Sequence, residues 1–299
     1  MDGNSSATPT TTQSSDVKPL GISAAMLSHV GCVRSSNEDC VTYSVPAAGS
    51  TDSAMGVLAL VADGMGGHAA GEVASQIAAT TVHHIFYREL RPVPEALAEG
   101  FAAANSAIHE QAKTDPACAG MGTTCTAVAL RDNQIWLGHV GDSRAYLIRK
   151  DRIYMISEDH SLVAELVRKG TLTEREAKTF PDRNVILRAL GIEPTVEAAI
   201  WHEGLPAKAG DVLVLCSDGL TDVVDEEVIR DIAGTRPPFE ACEALIQRAL
   251  DAQAPDNVSV GVVAVVDADL PTIKPGRTTQ ETPRITQEII VTDKPGGSR

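Results

Sequence analysis

Residues 56–64 read GVLALVADG, a continuous apolar run that ends in an aspartate and a glycine. A run of this kind is typical of a β-strand that is covered on both faces, because apolar residues do not alternate with polar ones. Residues 211–219 read DVLVLCSDG and repeat the arrangement. The two segments therefore predict two buried strands, each followed by a carboxylate, Asp63 in the first and Asp218 in the second.

Two further acidic positions come before a strand instead of after one. Asp256 precedes the apolar run 258–266, VSVGVVAVV, and Asp39 precedes the strand-like residues 40–45. In an antiparallel sheet the end of one strand lies beside the start of its neighbour. We therefore expect one edge of the structure to collect the following acids: Glu38, Asp39, Asp63, Asp142, Asp218 and Asp256.

Helical and strand patterns alternate along the rest of the chain. Apolar residues recur at helical spacing in four segments, residues 72–87, 94–113, 226–232 and 239–250. Three strands are predicted to form a meander with a tight hairpin at Gly141–Arg144: residues 124–130, 135–140 and 145–148. This order predicts the α+β class, as a four-layer α/β/β/α sandwich with two central antiparallel sheets flanked by helices.

The composition excludes several classes of protein. The chain has 299 residues and a formal net charge of -15. A strongly acidic chain repels nucleic acids and anionic membranes, so we expect neither as a partner. The six cysteines form no C-x-x-C pair, which favours free thiols in a reducing compartment. The N-terminus lacks a basic region followed by an apolar stretch, so we expect a cytoplasmic protein.

The ends of the chain differ in composition from the middle. Residues 1–20 are rich in serine and threonine, and residues 268–299 are rich in proline and threonine. Such segments bury too little apolar surface to offset the entropy of folding, so we predict two disordered tails. One folded domain, residues 21–267, is expected between them.

The acidic positions admit two interpretations. A single Asp-Gly after a strand is most often a turn. Several carboxylates at one edge would instead repel each other and raise one another's pKa values, and divalent cations remove that conflict. A site with only oxygen ligands favours Mg²⁺ or Mn²⁺ over zinc. The residues alone leave both interpretations open.

Six short motifs supply a further indication through their order. They are RSSNED at 34–39, DGMGGH at 63–68, MGTT at 121–124, GDSR at 141–144, SDGLTD at 217–222 and DNVSV at 256–260. Each motif is weak alone, but the ordered set, within residues 22–266, resembles the metal-dependent protein phosphatases, also called the protein phosphatase 2C family. The resemblance implies a bacterial-type serine/threonine phosphatase that uses two Mn²⁺ or Mg²⁺ ions.

The resemblance also implies a role for each matching residue. Asp63 is the carboxylate that bridges both ions. Asp218 and Asp256 hold the first ion. The second is held by Asp39 and the Gly64 carbonyl, with Glu38 acting through water. A third, weaker metal site of bacterial members matches three positions, Asp142, Asp218 and Asp222.

The implied reaction is hydrolysis of phosphoserine or phosphothreonine by a hydroxide that bridges the two metals. Arg34 matches the arginine that grips the substrate phosphate, to which a planar guanidinium offers paired donors. Eukaryotic members carry a histidine two residues after the bridging aspartate as the proposed general acid. Here Met65 stands at that position and the nearest histidine is His68. His68 is either the general acid or a structural histidine at a helix start, and in the second case water protonates the leaving group.

Residues 159–191 match the flap of the family, with a first helix and a second short helix at 173–178. Three basic residues of this segment are candidates for contact with a phosphoprotein and, equally, for plain solvated charges: Lys169, Arg183 and Arg188.

Two other classes of protein were weighed against the phosphatase. A non-catalytic phosphoprotein-binding regulatory module of the same fold is expected to lack one or more of the metal-binding acids, all of which are present. A different two-metal hydrolase, such as a phosphodiesterase, usually includes histidine ligands, and the eight histidines do not cluster near the acids. The partners expected of a phosphatase are phosphorylated proteins and a cognate Ser/Thr kinase, and the resemblance implies a monomer.

Overall fold

A computed structural model describes residues 20–47, 49–66 and 70–267. The tails predicted at 1–20 and 268–299 lie outside these residues, except for Leu20, which begins the first strand. Within the described residues the chain forms twelve strands: β1 (Leu20–His29), β2 (Asp39–Ser44), β3 (Val57–Met65), β4 (Gly122–Thr123), β5 (Cys125–Arg131), β6 (Gln134–Val140), β7 (Arg144–Arg149), β8 (Arg152–Met155), β9 (Ala199–Ile200), β10 (Leu205–Pro206), β11 (Val212–Cys216) and β12 (Val258–Asp267).

The same part of the chain contains seven α-helices: α1 (Ala70–Tyr87), α2 (Val93–Thr114), α3 (Leu162–Arg168), α4 (Glu174–Ala177), α5 (Asp218–Thr221), α6 (Glu226–Ala233) and α7 (Pro238–Asp251). The four long helices predicted from apolar spacing are confirmed, each within two residues of its predicted start and end. None of the described helices combines the length and the apolar character needed to cross a bilayer.

Two antiparallel sheets form the centre of the structure. One has the strand order β1-β12-β11-β7-β8, and the other has the order β10-β6-β5-β3-β2, with β4 beside β3 and β9 beside β6. Helices α1 and α2 cover the second sheet, and α6 and α7 cover the first. The predicted four-layer α/β/β/α sandwich is confirmed.

The central strands are apolar on both faces because both faces are covered. In β3, Leu58 and Leu60 pack under α1 and α2, whereas Val57 and Val61 point into the space between the two sheets. Strand β11 alternates in the same way between the α6–α7 layer and the space between the sheets. Each apolar run therefore contributes to two hydrophobic cores at once. This double anchoring fixes the position of the strand end and of the aspartate that follows the run.

The connection between β6 and β7 differs from the prediction. A hairpin was predicted at Gly141–Arg144, but β6 and β7 belong to different sheets, so this segment carries the chain from one sheet to the other. Gly141 makes the crossing with φ of 109°. The hairpin lies one connection earlier, where Asp132 and Asn133, with φ of 52° and 57°, join β5 to β6. The prediction was wrong because a turn signal reports a local reversal and not the sheet that receives the next strand.

We expect Leu60→Ala to lower the free energy of unfolding by about 3 kcal/mol, because it leaves a cavity in a fully buried position. Urea denaturation measures the change. Leu90→Ala is the matched control, since Leu90 is 64% exposed, and it should change stability very little. Equal losses in the two variants would contradict the packing of β3 under the helices.

Candidate metal centre

The predicted acids lie together at one edge of the sandwich, with Asp63 in the middle. Asp39 of β2 stands directly opposite Asp63 of β3 in the antiparallel ladder. Burial raises the pKa of Asp63 well above its ordinary value, and the charges of Asp39, Asp218, Asp142 and Asp256 raise it further. Asp63 is therefore the carboxylate around which the other four are gathered.

Two of the buried carboxylates carry an oxygen that no donor satisfies. Oδ1 of Asp39 and Oδ1 of Asp142 are buried, and neither has a hydrogen-bond partner within the described residues. Burial raises the pKa of both carboxyls to about 7 and that of Asp218 to about 6. A buried oxygen without a donor costs free energy, and a divalent cation supplies the missing partner. An oxygen-only donor set of this kind fits Mn²⁺ or Mg²⁺.

Arg34 contacts a predicted metal ligand. Its Nη2 atom lies 2.7 Å from Oδ2 of Asp256, and both side chains are partly exposed. The negative charges of Glu38 and Asp63 also act on the guanidinium, so it faces the acidic edge. This contact uses the Nη2 atom, so the partly exposed guanidinium keeps N–H donors that can bind an anion.

Asp218 and Asp222 lie four residues apart on a single helical turn. The backbone N–H of Asp222 donates to the carbonyl oxygen of Asp218 at 2.8 Å, so the two side chains share one face of α5. Arg183 of the predicted flap lies with its Nη1 atom 3.0 Å from Oδ2 of Asp222. The flap is thereby tied to the acidic edge.

The acids are close neighbours but do not form a finished coordination set. In residues 20–47, 49–66 and 70–267, no three acidic, histidine or cysteine side chains converge as metal ligands do. Protein donors engage some of them instead: Ser217 Oγ donates to Oδ2 of Asp39 at 2.8 Å, and Arg34 engages Asp256. The residues fit the ions in chemistry and burial, and coordination requires side-chain rotation.

Glycines let the backbone close around the acids. A Cβ atom at Gly64 would lie 2.1 Å from the carbonyl oxygen of Gly71 and 2.5 Å from that of Glu38. A Cβ atom at Gly219 would lie 2.0 Å from the carbonyl oxygen of Asn257. These distances are too short for any side chain, which explains why a glycine follows both Asp63 and Asp218.

A threonine pair fixes the backbone of Asp63. The N–H of Asp63 donates to Oγ1 of Thr124 at 2.9 Å, and Oγ1 of Thr123 donates to the Asp63 carbonyl oxygen at 2.8 Å. Oγ1 of Thr124 also lies 2.7 Å from Oγ of Ser143. The MGTT and GDSR motifs thus support the central acid through short hydroxyl contacts.

Asn257 organises the loop that carries Arg34 and Glu38, a role that sequence reasoning missed. Its Oδ1 accepts from the backbone N–H of Glu38 at 2.8 Å, and its Nδ2 donates to the carbonyl oxygens of Val30 and Ser36 at 3.0 and 2.9 Å. Asn257 is buried, so these three bonds hold the loop against β12. The Asp-Asn pair before β12 contained the signal, but only its aspartate was interpreted.

The predicted flap, residues 159–191, is anchored at both ends beside the acids. Both carboxylate oxygens of Asp159 accept from Arg144. Leu190 exchanges two backbone hydrogen bonds with Thr123, at 2.8 and 3.1 Å. The predicted short helix at 173–178 is present as α4. His68, considered above as a general acid, lies outside the described residues.

Comparison with known proteins identifies the class to which this fold and this acidic edge belong. The chain belongs to the protein phosphatase 2C family, whose family model matches residues 37–253. It is 41% identical over 245 residues to the serine/threonine protein phosphatase PstP of Mycobacterium tuberculosis, a match that covers 80% of this chain and 44% of the relative.

Two further similarities agree with this family. The chain is 36% identical over 250 residues to the protein phosphatase PhpP of Streptococcus pneumoniae, covering 82% of this chain and 98% of the relative. The crystal structure of the PstP catalytic domain in complex with two manganese ions matches with a TM-score of 0.72 and 39% identity, covering 83% of this chain and 100% of that one. The chain therefore spans less than half of full-length PstP and nearly all of PhpP.

We expect Asp142→Asn to stabilise the protein in chelator, and more so as the pH rises from 4 to 7. The folded-state pKa of Asp142 is about 7, above its value of roughly 3.9 in an unfolded chain, so raising the pH in this window forces wild type to bury a charge. Urea denaturation of both proteins at several pH values measures the difference. Buried histidines such as His139 titrate in both proteins, so their contributions to the pH dependence cancel when the two free energies of unfolding are subtracted. A difference that stays flat or shrinks with pH would contradict the burial of this carboxylate.

Proposed function

We propose that this chain is a protein serine/threonine phosphatase, a phosphoric monoester hydrolase that depends on Mn²⁺ or Mg²⁺. The observation that carries the proposal is the gathering of four other carboxylates around the partly buried Asp63 near the end of β3. Membership of the protein phosphatase 2C family supports it, as do the names of PstP and PhpP and the two manganese ions of the PstP structure.

Each of the predicted ligands keeps its role in this proposal. Asp63 bridges two ions, Asp218 and Asp256 complete the first, and Asp39 with the Gly64 carbonyl completes the second, with Glu38 acting through water. The third, weaker site is assigned to Asp142, Asp218 and Asp222. The buried, unpartnered oxygens of Asp39 and Asp142 support the assignment, since each has the capacity to accept a cation.

The chain's own groups position the substrate for in-line attack. When bound, the ions supply a water that is acidic enough to attack phosphorus at neutral pH. Arg34 donates N–H groups to the phosphoryl oxygens, which holds the ester in place and offsets its negative charge. Asn257 and the threonine pair keep the loop and Asp63 fixed during the attack, so little reorganisation is needed.

A non-catalytic module of the same fold is less well supported. The relatives that match over most of this chain are named as phosphatases, and the acids that a degenerate member would lose are all retained. The regulatory module is therefore the alternative, and it predicts no Mn²⁺-dependent turnover.

We also propose a cellular location, an oligomeric state and partners for the enzyme. It acts in signal transduction in the cytoplasm, as a monomer, on proteins phosphorylated by a cognate Ser/Thr kinase, and not on a membrane or nucleic acid. The net charge of -15 and the six free cysteines support this setting. The proposed catalytic domain comprises residues 21–267, with the flap at 159–191, and Leu20 of β1 directly precedes it.

We expect hydrolysis of an aryl phosphate to vanish in chelator and to return when Mn²⁺ is added. Asp63→Asn should lower the Mn²⁺-dependent rate by at least about a hundredfold, because it removes the charge shared by both ions. Asp132→Asn is the matched control, as Asp132 lies in the β5–β6 turn at the other end of the strands, and it should keep the full rate. Chelator-resistant turnover, or full activity of Asp63→Asn, would refute the proposal.

Arg34→Ala should raise the KM for an aryl phosphate about tenfold, because the phosphate loses a charged, paired donor. Steady-state kinetics at saturating Mn²⁺ measures it. Arg88→Ala serves as the control, since Arg88 pairs with Glu89 and Glu99 near the start of α2 and lies far from the acids in the fold. A KM that does not change in Arg34→Ala would rule out phosphate binding by this residue.

A further inference from the structure

A cleft of about 690 Å³ separates the flap from α5 and α6. Asp142, Asp218 and Asp222 line one part of it, so the cleft is continuous with the acidic edge. One wall is formed by α3 and α4 of the flap, and the opposite wall by residues 221–226. Its volume lies within the range of roughly 300–1,000 Å³ that is usual for ligand clefts.

Aliphatic side chains contribute much of the cleft surface. Val163, Val167 and Ala177 line it from the flap, and Val223 lines it from the other wall. Met155 of β8 also lines it and is 44% exposed. Such a surface suits the side chains or aliphatic stems of a polypeptide that runs away from the phosphorylated residue.

The basic residues of the cleft are already neutralised. Each pairs with an acidic residue that also lines the cleft: Arg144 with Asp159 at 2.7 Å, Arg168 with Glu158, Lys178 with Asp225 at 3.7 Å, and Arg183 with Asp222 at 3.0 Å. The cleft therefore offers no unpaired basic side chain to an acidic ligand. Arg183, which the sequence suggested for contact with a phosphoprotein, is paired with Asp222.

Apart from Asp142 and Asp218 of the acidic edge, one acid on each wall has no ion pair among the described residues. Glu174 begins α4 and Glu226 begins α6; both line the cleft and both are exposed. Neither forms an ion pair with any residue in the part of the chain that the structure describes. These two carboxylates therefore lie on opposite walls of the cleft, each without an ion-pair partner among the described residues. The chain that carries them is already strongly acidic.

We propose that this cleft binds the substrate segment that flanks the phosphorylated residue, and that it prefers segments in which lysine or arginine stands beside aliphatic residues. The inference rests on the proposed function, because the acidic edge must hold the phosphate for the flanking residues to enter the cleft. A basic side chain can pair with Glu174 or Glu226, whereas an acidic one is repelled by both. The cleft thus selects among phosphoproteins without touching the reacting atoms.

The first test uses three phosphothreonine peptides that differ only at two flanking positions, which are both lysine, both glutamine or both glutamate. We expect kcat/KM to fall in that order, by about threefold to tenfold from lysine to glutamate, because exposed ion pairs are individually weak. Non-hydrolysable phosphonate analogues of the peptides should bind in the same order, as measured by fluorescence anisotropy. Raising the salt concentration should narrow the differences.

The second test compares the double variant Glu174→Gln/Glu226→Gln with the control Glu95→Gln/Glu240→Gln. The control acids also lie exposed in the first turns of helices, α2 and α7, but outside the cleft. The cleft variant should lose the preference for the lysine peptide, and the control should keep it. Both should hydrolyse an aryl phosphate at the wild-type rate.

The outcomes separate the two proposals. Equal turnover and equal binding of the three peptides, with normal hydrolysis of the aryl phosphate, would overturn the cleft's selectivity and leave the phosphatase standing. A preference that survives in the cleft variant would overturn the roles of Glu174 and Glu226. Wild-type protein that fails to hydrolyse the aryl phosphate with Mn²⁺ would overturn the phosphatase and this inference together.

Discussion

Repulsion among the carboxylates gathered around Asp63 is the constraint on which the rest of this site depends. Burial and four neighbouring acids act on one side chain, and two of the acids keep an oxygen that has no donor among the described residues. A protein gains no stability from such an arrangement by itself. Under the proposed function the arrangement favours divalent cations, because each cation would remove a desolvation cost and several repulsions at once. The proposed metal site therefore accounts for an edge that lowers the stability of the protein without its ions.

The sandwich supplies the precision that the site requires. Strands β3 and β11 are anchored in two hydrophobic cores each, so their ends cannot slide without exposing apolar side chains. Glycines after Asp63 and Asp218 permit carbonyl groups to approach closely, and Asn257 ties the loop of Arg34 and Glu38 to β12. Rigid elements therefore carry the acids, while the flap, which forms one wall of the neighbouring cleft, is held at its two ends.

The layers and the gathering of acids could be predicted because both follow from local patterns. Unbroken apolar runs indicate strands covered on two sides. Antiparallel order places Asp39 beside Asp63 in one sheet, and the end of β11 beside the start of β12 in the other. The stacking of the two sheets then brings both groups of acids to one edge. The crossing at Gly141–Arg144 could not be predicted, because a turn signal is the same whether the next strand stays in the sheet or joins another one. The pairing of Arg34 with Asp256, and the ion pairs that neutralise the cleft, depend on side chains far apart in sequence and left no local signal.

Anomalous diffraction from crystals soaked in Mn²⁺ tests the central claim most directly, since it locates the ions without relying on activity. We expect two strong peaks on either side of the Asp63 carboxylate. Peaks confined to surface carboxylates, with none in contact with Asp63, would contradict the claim that this buried acid gathers its neighbours around a pair of cations.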